Sequence, residues 1–146
     1  MLQEKEICTV AETEQEILAT FPIFQQLRPK LQDQSLFLSQ ILRQKSGGYI
    51  LVYLKVEDEV AACMGFRSFE TLAWNKILYI DDLIVHEKFR KRGLAKMLIE
   101  YAVEWGKNAG CQEIHLDSGY HRLDAHRFYL NQGFSLYCHH FSLVIS

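Results

Sequence analysis

The sequence of 146 residues predicts an α+β protein with one mixed, mostly antiparallel central sheet flanked by helices. Three runs rich in aromatic and β-branched residues, 49–56, 60–69 and 77–85, follow one another across short connections, which is typical of antiparallel strands. The pattern of strand, amphipathic helix and strand over 77–117 then indicates a crossover unit. The length fits a single domain, 1–146, with one substantial core.

The N-terminal segment is predicted to contain a short strand and a helix. Residues 7–11, ICTVA, are suited to a short strand. Thr13 followed three residues later by Glu16 is a capping box, which predicts a helix to about Thr20. Pro22 is expected to break the helix or restart the chain, because proline lacks the N–H that an interior helical residue donates.

A second amphipathic helix is predicted from residue 33 to 45, and the glycine pair 47–48 ends it. Its apolar residues recur at helical spacing: Leu36, Phe37, Ile41 and Leu42. Beyond the glycines the pattern becomes that of a hairpin, with a turn at 57–59 between the first two strand-like runs. The third run follows a short polar and aromatic connection.

The second half of the chain is predicted to add two helices and further strands. An amphipathic helix begins near residue 94 and ends at Gly110, and a strand follows over 111–117. A short helix is predicted at 124–132. The remaining segment, 134–146, is predicted to form a final pair of strands.

Composition and charge narrow the class of protein. The formal net charge is −2, with 49% hydrophobic and 23% charged residues, so a general nucleic-acid binder is not expected. No apolar run approaches the roughly 18 residues that a membrane helix needs, and the N-terminal sequence MLQEKEICTVAETEQE is too polar for a signal peptide. The four cysteines are widely spaced without a CxxC pair, which predicts reduced thiols and a cytoplasmic protein.

The basic stretch KFRKRGLAK, residues 88–96, places five of the sixteen Lys and Arg residues around Gly93. It lies at the start of a predicted helix, where unpaired backbone N–H groups and the helix dipole attract anions. The same dipole disfavours cations there, so their presence predicts a large bound anion that a glycine allows the backbone to approach. The phosphate-loop patterns GxGxxG and GxxxxGK[ST] both fail because the second glycine is absent.

Two motifs, with the order of elements around them, resemble the GNAT acetyltransferase superfamily. The motif Arg90-x-x-Gly93-x-Ala95 is similar to the family's acyl-CoA pyrophosphate loop, which reads Gln or Arg, two residues, Gly, one residue, then Gly or Ala. Segment 121–134, HRLDAHRFYLNQGF, resembles the second CoA motif, N-x-x-A-x-x-F-Y with a tail ending in Gly-Phe. The matching residues are Ala125, Phe128, Tyr129, Gly133 and Phe134. The resemblance covers about residues 48–138.

The resemblance implies acetyl-CoA as the co-substrate and indicates the residues that bind it. Backbone amides near the end of the third strand would hold the thioester carbonyl and pantetheine, at Leu83, Ile84 and Val85. The loop and helix start would hold the pyrophosphate and outer phosphates, through Arg90, Lys91, Arg92, Gly93, Leu94, Ala95 and Lys96. The second motif would add Phe128. Arg122 stands where the family frequently has Asn. Its role is one of three alternatives: contact with a phosphate, contact with the substrate, or covering the surface of the fold.

The resemblance also implies direct attack of an amine on acetyl-CoA in a ternary complex. An alkyl amine with a pKa near ~10.4 requires roughly 4.6 kcal/mol to lose its proton at pH 7, so a base or a water chain leading to one is useful. We favour Asp81 as this base, with Asp82 second. Adjacent residues of a strand point to opposite faces unless a bulge intervenes, and the matching strand of the family has a bulge here. As an alternative, either aspartate would form an ion pair or bind a cationic substrate. Tyr129 matches the family's general acid.

The expected acceptor is a small-molecule primary amine. The two aspartates suit a cationic amine, whereas an anionic acceptor would need positive charge from Arg67, His121 or Arg122. The alternatives are a peptide or protein amine as acceptor, or a non-catalytic acyl-CoA-binding regulatory module. No metal is expected, because the six histidines follow no recurring ligand spacing. The apolar ending HHFSLVIS predicts a sheet edge that a second copy covers, and hence a homodimer.

Overall fold

The structure is a computed structural model that describes residues 7–146; residues 1–6, part of the segment used above to exclude a signal peptide, lie outside it. The chain forms two compact units, Met1–His115 and Leu116–Ser146. The predicted α+β class is confirmed, with helices and one mostly antiparallel sheet. Within the described range, no helix combines the length and apolarity that crossing a bilayer would need.

Among residues 7–146, five strands form the sheet in chain order: β1 (Thr9–Val10), β2 (Ile50–Val56), β3 (Glu59–Thr71), β4 (Asn75–Val85) and β5 (Glu113–Leu116). The first four strands pair antiparallel with their neighbours, as the hairpin pattern predicted. The turn between β2 and β3 is tight because Glu57 and Asp58 both have positive φ, 52° and 63°. β5 is shorter than the predicted strand over 111–117.

Helix α1 (Glu14–Leu27) starts with the predicted capping box. The Thr13 hydroxyl accepts a hydrogen bond from the Glu16 amide at 3.1 Å, and the Glu16 carboxylate accepts one from the Thr13 amide at 3.2 Å. The predicted end at Thr20 is wrong, because the helix continues through Pro22. Pro22 is exposed, and the opposite side of the helix is buried in the core, so packing outweighs the hydrogen bond that proline cannot make.

α1 stops one residue before the dipeptide Arg28-Pro29. A residue that precedes proline is disfavoured in helical conformation, and Arg28 has φ −125° and ψ 78°. Helix α2 (Gln34–Ser46) then begins at Asp33, whose carboxylate accepts hydrogen bonds from the Ser35 and Leu36 amides at 2.8 and 3.1 Å. This confirms the predicted second helix.

The two faces of the sheet carry different helices. Tyr49 and Cys63 belong to a buried cluster with residues of α1 and α2, including Ile17, Phe24 and Phe37. Helix α3 (Leu94–Ala109) covers the opposite face, where the Phe66 ring lies 6.4 Å from that of Tyr101 and 5.1 Å from that of Trp105. The first unit is thus a layer of α1 and α2, the sheet, and a layer of α3.

The second unit contains helix α4 (Leu123–Asn131) and the C-terminal segment 134–146. The predicted final pair of strands is wrong, since residues 134–146 have no regular secondary structure. Their apolar side chains are exposed, Phe141 by 91%, and a strand without a partner cannot complete its ladder of hydrogen bonds. Side-chain contacts of this segment include Tyr120 to His139 at 3.0 Å and Asp117 to His140 at 3.2 Å.

Candidate active site

β4 has a bulge at its centre, as the resemblance implied. Gly65 pairs with Asp82 and Phe66 with Ile80, so Asp81 is left out of the register between β3 and β4. The extra residue interrupts the alternation of side chains between the two faces. Asp81 and Asp82 consequently both contact groups on the face that α1 and α2 cover.

Asp81 forms a two-point ion pair with Arg67 of β3. The Arg67 Nε donates to Asp81 Oδ1 at 3.0 Å and its Nη2 donates to Oδ2 at 2.5 Å. The hydrogen bond to Asp81 is the largest cause that raises the pKa of Arg67, and the guanidinium also lies 5.6 Å from the centre of the Tyr49 ring. Both oxygens of Asp81 are therefore engaged, which is the ion-pair role anticipated as its alternative.

The two carboxylate oxygens of Asp82 have different partners: one contacts a buried side chain and the other an exposed side chain. Its Oδ2 accepts a hydrogen bond of 2.9 Å from the Tyr49 hydroxyl. Tyr49 is only 2% exposed, and burial, with the charge of Asp82 as the next cause, raises its pKa well above the ordinary value, so it stays a donor. The Asp82 Oδ1 accepts from Nη2 of Arg28 at 3.1 Å, and the Arg28 side chain is 53% exposed.

Gly65 makes the contact between Tyr49 and Asp82 possible. A Cβ at position 65 would lie 1.6 Å from the Tyr49 hydroxyl oxygen and 2.1 Å from Cζ of its ring. Only a residue without a side chain lets the ring pass over β3 to reach β4. The signal was present in the sequence, because a glycine inside a strand marks a close approach, but it was not used.

The substitution Gly65→Ala is expected to destabilise the protein by about 1–3 kcal/mol, because Tyr49 must leave its site and Asp82 loses a buried donor. Gly47→Ala is the matched control, since its Cβ would meet nothing closer than 3.5 Å. Urea unfolding of both variants measures the difference. Equal stability of the two would show that Tyr49 does not need the space above Gly65.

A half-open cleft of about 280 Å³ lies between α1 and α2, and Asp82 forms part of its wall. Its apolar wall comes from Phe24, Leu31, Phe37 and Ile41. The charged residues that line it are Arg28, Lys30 and Asp82. Arg28 and Lys30 were not singled out from the sequence, because the contact between Arg28 and Asp82 joins residues 54 positions apart.

The basic loop lies between the end of β4 and the start of α3, as predicted. A single 3₁₀ turn, Glu87–Phe89, is anchored by the buried Phe89 ring, and the chain then turns at Lys91 and Gly93, whose φ values are 65° and 79°. Gly93 is the N-cap of α3, no side chain caps the helix, and its first turn holds no acidic residue. The α3 N-terminus therefore presents backbone donors that the helix itself does not use.

The cations of the loop differ in their surroundings. Lys88 forms an ion pair with Glu59 at 3.1 Å, and Arg92 lies over the Phe89 ring at 5.3 Å. Arg90, Lys91 and Lys96 are exposed. Ala95 is half-buried and Leu94 is buried. Arg90 donates to the Val85 carbonyl at 3.4 Å. Exposed cations beside an uncapped helix N-terminus make a surface that suits a multiply charged anion.

The end of β4 is buried and bordered by β3. Leu83, Ile84 and Val85 pair with Met64, Cys63 and Ala62. Among residues 7–146, β3 and β5 are the strand neighbours of β4, and Gln112, just before the four-residue β5, donates to the Lys76 carbonyl at the far end of β4. β5 thus starts far from the segment that the resemblance assigns to pantetheine.

Tyr129 lies on α4 in the second unit. It is 8% exposed, and its ring packs against Phe128 at 5.5 Å and Phe134 at 5.6 Å. Burial raises the pKa of Tyr129, and the charge of Arg122 acts in the opposite direction. A hydroxyl with a raised pKa is protonated at neutral pH. Arg122 occupies the N-cap position of α4 without a capping hydrogen bond.

Two histidines of the described residues each contact one carboxylate. His115 contacts Glu113 at 2.8 Å and His140 contacts Asp117 at 3.2 Å. Over residues 7–146, no group of three or more His, Cys, Asp or Glu side chains is arranged to hold a metal ion.

The fold is that of acetyltransferases of known structure, and comparison with known proteins identifies the family. The family model described as "Acetyltransferase (GNAT) family" matches residues 6–134. The uncharacterized N-acetyltransferase YhdJ of Bacillus subtilis is 30% identical over 125 residues, which cover 85% of this chain and 88% of that protein. The chain therefore belongs to the GNAT family of N-acetyltransferases.

Solved structures agree on the fold. A Trypanosoma brucei acetyltransferase superposes with a TM-score of 0.80 at 18% identity, over 97% of this chain and 100% of that chain. The structure of AAC(6')-Iy in complex with the bisubstrate analog CoA-S-monomethyl-acetylneamine gives a TM-score of 0.82 at 16% identity, over 98% and 99% of the two chains. At these identities the likeness shows the fold alone.

Proposed function

We propose that this N-acetyltransferase moves the acetyl group of acetyl-CoA to the primary amine of a small molecule, by direct attack in a ternary complex. The observation that carries the proposal is Asp82, a carboxylate fixed by buried Tyr49 and facing a cleft of about 280 Å³. The cleft is slightly smaller than the roughly 300–1,000 Å³ of typical ligand sites, so it suits a small acceptor. The bisubstrate analog bound to AAC(6')-Iy, which joins CoA to an acetylneamine, supports an acceptor of this class.

Acetyl-CoA is proposed to bind along the end of β4 and at the start of α3. The backbone of Leu83–Val85 would hold the thioester and pantetheine, and the amides from Gly93 onward would hold the pyrophosphate. Exposed Lys91, Arg92 and Lys96 would neutralise the outer phosphates. Phe128 and Arg122 stay candidates for contacts with the cofactor from the second unit.

Asp82 replaces Asp81 as our preferred base. Asp81 is held at two points by Arg67, whereas Asp82 has an oxygen whose partner is an exposed side chain. Asp82 would take the proton of the acceptor ammonium, and the neutral amine would attack the thioester carbonyl. As the C–S bond breaks, Tyr129 would protonate the departing thiolate, and the nitrogen would lose its second proton to water, from which Tyr129 regains its own. The raised pKa of Tyr129 keeps its hydroxyl protonated at neutral pH, so it has a proton to donate, but it also makes the hydroxyl a weaker acid than an ordinary tyrosine.

We also propose that both units act as one catalytic domain, because the matched family region, 6–134, spans the boundary between them. A cytoplasmic homodimer is proposed as the working form. The exposed apolar side chains of segment 134–146 support the dimer: Leu136, Phe141, Leu143, Val144 and Ile145. The molar mass of the full chain, measured by light scattering, tests it, and a monomer at all concentrations would exclude it.

CoA-thiol release from acetyl-CoA tests the proposed function across polyamines, amino acids, aminophosphonates, amino sugars and short peptides. Calorimetric binding of acetyl-CoA accompanies it. Turnover with a small-molecule class supports the proposal, and turnover with peptides alone favours the peptide or protein alternative. Tight acetyl-CoA binding without turnover would favour the regulatory module, and binding of an oligonucleotide that acetyl-CoA does not displace would reassign the basic loop.

Tyr129→Phe is expected to lower kcat by roughly 10- to 100-fold, because the thiolate then leaves without a proton donor. The dissociation constant of acetyl-CoA should change by less than about twofold, since the ring and its packing remain. Tyr137→Phe, on the exposed segment of the same unit, is the control. An unchanged kcat in Tyr129→Phe would remove the acid role.

A further inference from the structure

Arg28 places a cationic nitrogen between two acceptors at the inner end of the cleft. Its Nη2 lies 3.1 Å from Asp82 Oδ1 and 3.2 Å from the backbone carbonyl oxygen of Asp81. A carboxylate and a carbonyl on one nitrogen are the partners that an alkyl ammonium group also requires. Pro29 fixes the end of α1 at this point, so Arg28 reaches Asp82 from the edge of the cleft.

The contact between Arg28 and Asp82 is suited to exchange. A single guanidinium nitrogen makes both hydrogen bonds, and the Arg28 side chain is half exposed. The Asp82 side chain is only 16% exposed, so Arg28 is the partner that solvent or a ligand can replace. The pair of Asp81 with Arg67, in contrast, uses two nitrogens and two oxygens.

We infer that Arg28 occupies the position of the acceptor's ammonium group in the resting protein, and that the acceptor is a small zwitterionic amine whose own anionic group then binds the displaced Arg28. This inference rests on the proposed function, because it takes Asp82 as the group that receives the amine. It makes Arg28 a specificity-determining residue, which selects acceptors by the charge at their far end.

The charges of the cleft favour a zwitterion over a diamine. Arg28, Lys30 and Asp82 line the cleft, which leaves one unbalanced positive charge in the resting state. The nearby Asp33 carboxylate is engaged at the α2 N-terminus by two backbone amides. A diamine would add two further cations beside Arg28 and Lys30, whereas an anionic group would pair with them.

The shape of the cleft agrees with a short acceptor. A volume of about 280 Å³ is at the small end for ligand sites. Phe24, Leu31 and Phe37 offer an apolar wall for a methylene chain that separates the two charged ends. The amide side chains of Gln40 and Gln44 supply further polar contacts.

Three acceptors with the same five-carbon chain test the inference: δ-aminovalerate, pentylamine and cadaverine, which end in a carboxylate, a methyl group and a second ammonium. We expect kcat/KM to be highest for δ-aminovalerate. It should exceed the value for cadaverine by at least about tenfold, because cadaverine lacks the carboxylate that pairs with Arg28. Binding of each acceptor to the protein is followed separately by NMR titration, so the order of affinities does not depend on turnover.

Arg28→Gln is expected to change the acceptors in opposite directions. Affinity for δ-aminovalerate should fall by roughly tenfold, because its carboxylate loses a partner, while affinity for pentylamine should rise, because nothing competes for Asp82. Lys30→Gln should weaken δ-aminovalerate only. Arg43→Gln, an exposed arginine on α2 that does not line the cleft, is the matched control and should alter none of the three.

The outcomes separate the inference from the proposed function. Equal losses for δ-aminovalerate and pentylamine in Arg28→Gln, or tighter binding of cadaverine by the native chain, would overturn the inference even if acetyl transfer is observed. The expected order of binding without turnover of any amine would support the inference and contradict the transferase proposal.

Discussion

Replacing Asp82 by asparagine is expected to lower kcat/KM for acetyl transfer at pH 7 by roughly 10²- to 10³-fold. Asparagine keeps the size of the side chain and can still accept the hydrogen bond from Tyr49, but it cannot take a proton from the acceptor ammonium. Water must then remove the proton from the ammonium group, which costs roughly 4.6 kcal/mol at pH 7. Acetyl-CoA affinity should stay within about twofold, because the basic loop is unchanged.

The pH dependence gives this prediction its specific signature. In Asp82→Asn the rate should follow the fraction of free amine, rising about tenfold per pH unit toward the amine pKa near ~10.4, so the deficit shrinks in alkali. Steady-state rates from pH 6 to 9.5 measure it. Asp58→Asn is the control, since Asp58 is exposed in a turn with φ 63°, which asparagine tolerates. A deficit that stays constant with pH would assign Asp82 to binding alone.

Asp81→Asn distinguishes the two carboxylates. It leaves the Arg67 guanidinium without its two-point partner, so we expect lower stability of the fold. The pH dependence of the acetyl-transfer rate should be the same as that of the unmodified protein. If Asp81→Asn instead shows the alkaline rescue, the original assignment of the base to Asp81 is correct and ours to Asp82 is wrong.

The order of strands and helices was predictable because each left a local pattern. The capping box at Thr13, the runs of aromatic and β-branched residues in β2 to β4 and the glycine ends of α2 and α3 all act within a few residues. Pro22 was misread for a physical reason: its local preference is overridden by the apolar face of α1, which the sheet buries.

The chemistry of the site depended on contacts that no local pattern specifies. Two adjacent aspartates look equivalent in sequence, and the bulge and the choice of partners separate them: Arg67 for Asp81, Tyr49 and Arg28 for Asp82. In segment 134–146, a clear local pattern led to a wrong prediction. Its strand-like sequence was clear, but a strand needs a neighbouring strand, and among the described residues none pairs with it.

Gly93→Glu is expected to weaken acetyl-CoA binding by at least ~100-fold, about 2.8 kcal/mol, because a carboxylate would occupy the uncapped N-terminus of α3 and repel the pyrophosphate. The strain of a side chain at φ 79° costs about 1–2 kcal/mol of stability. Calorimetric titration with acetyl-CoA measures the affinity, and thermal unfolding measures the stability.

Gly110→Glu is a matched control at the other end of the same helix. Gly110 also has φ 79°, and a Cβ at either glycine would meet no atom within 4 Å, so both variants carry the same strain and the same added charge. The helix dipole favours the glutamate at position 93 and disfavours it at 110, by about 0.3–1 kcal/mol each. Gly93→Glu should therefore be the more stable variant and the one that loses acetyl-CoA. Loss of affinity in both, or in neither, would mean that the α3 N-terminus does not hold the pyrophosphate, and the cations around Gly93 would then need another anion to explain them.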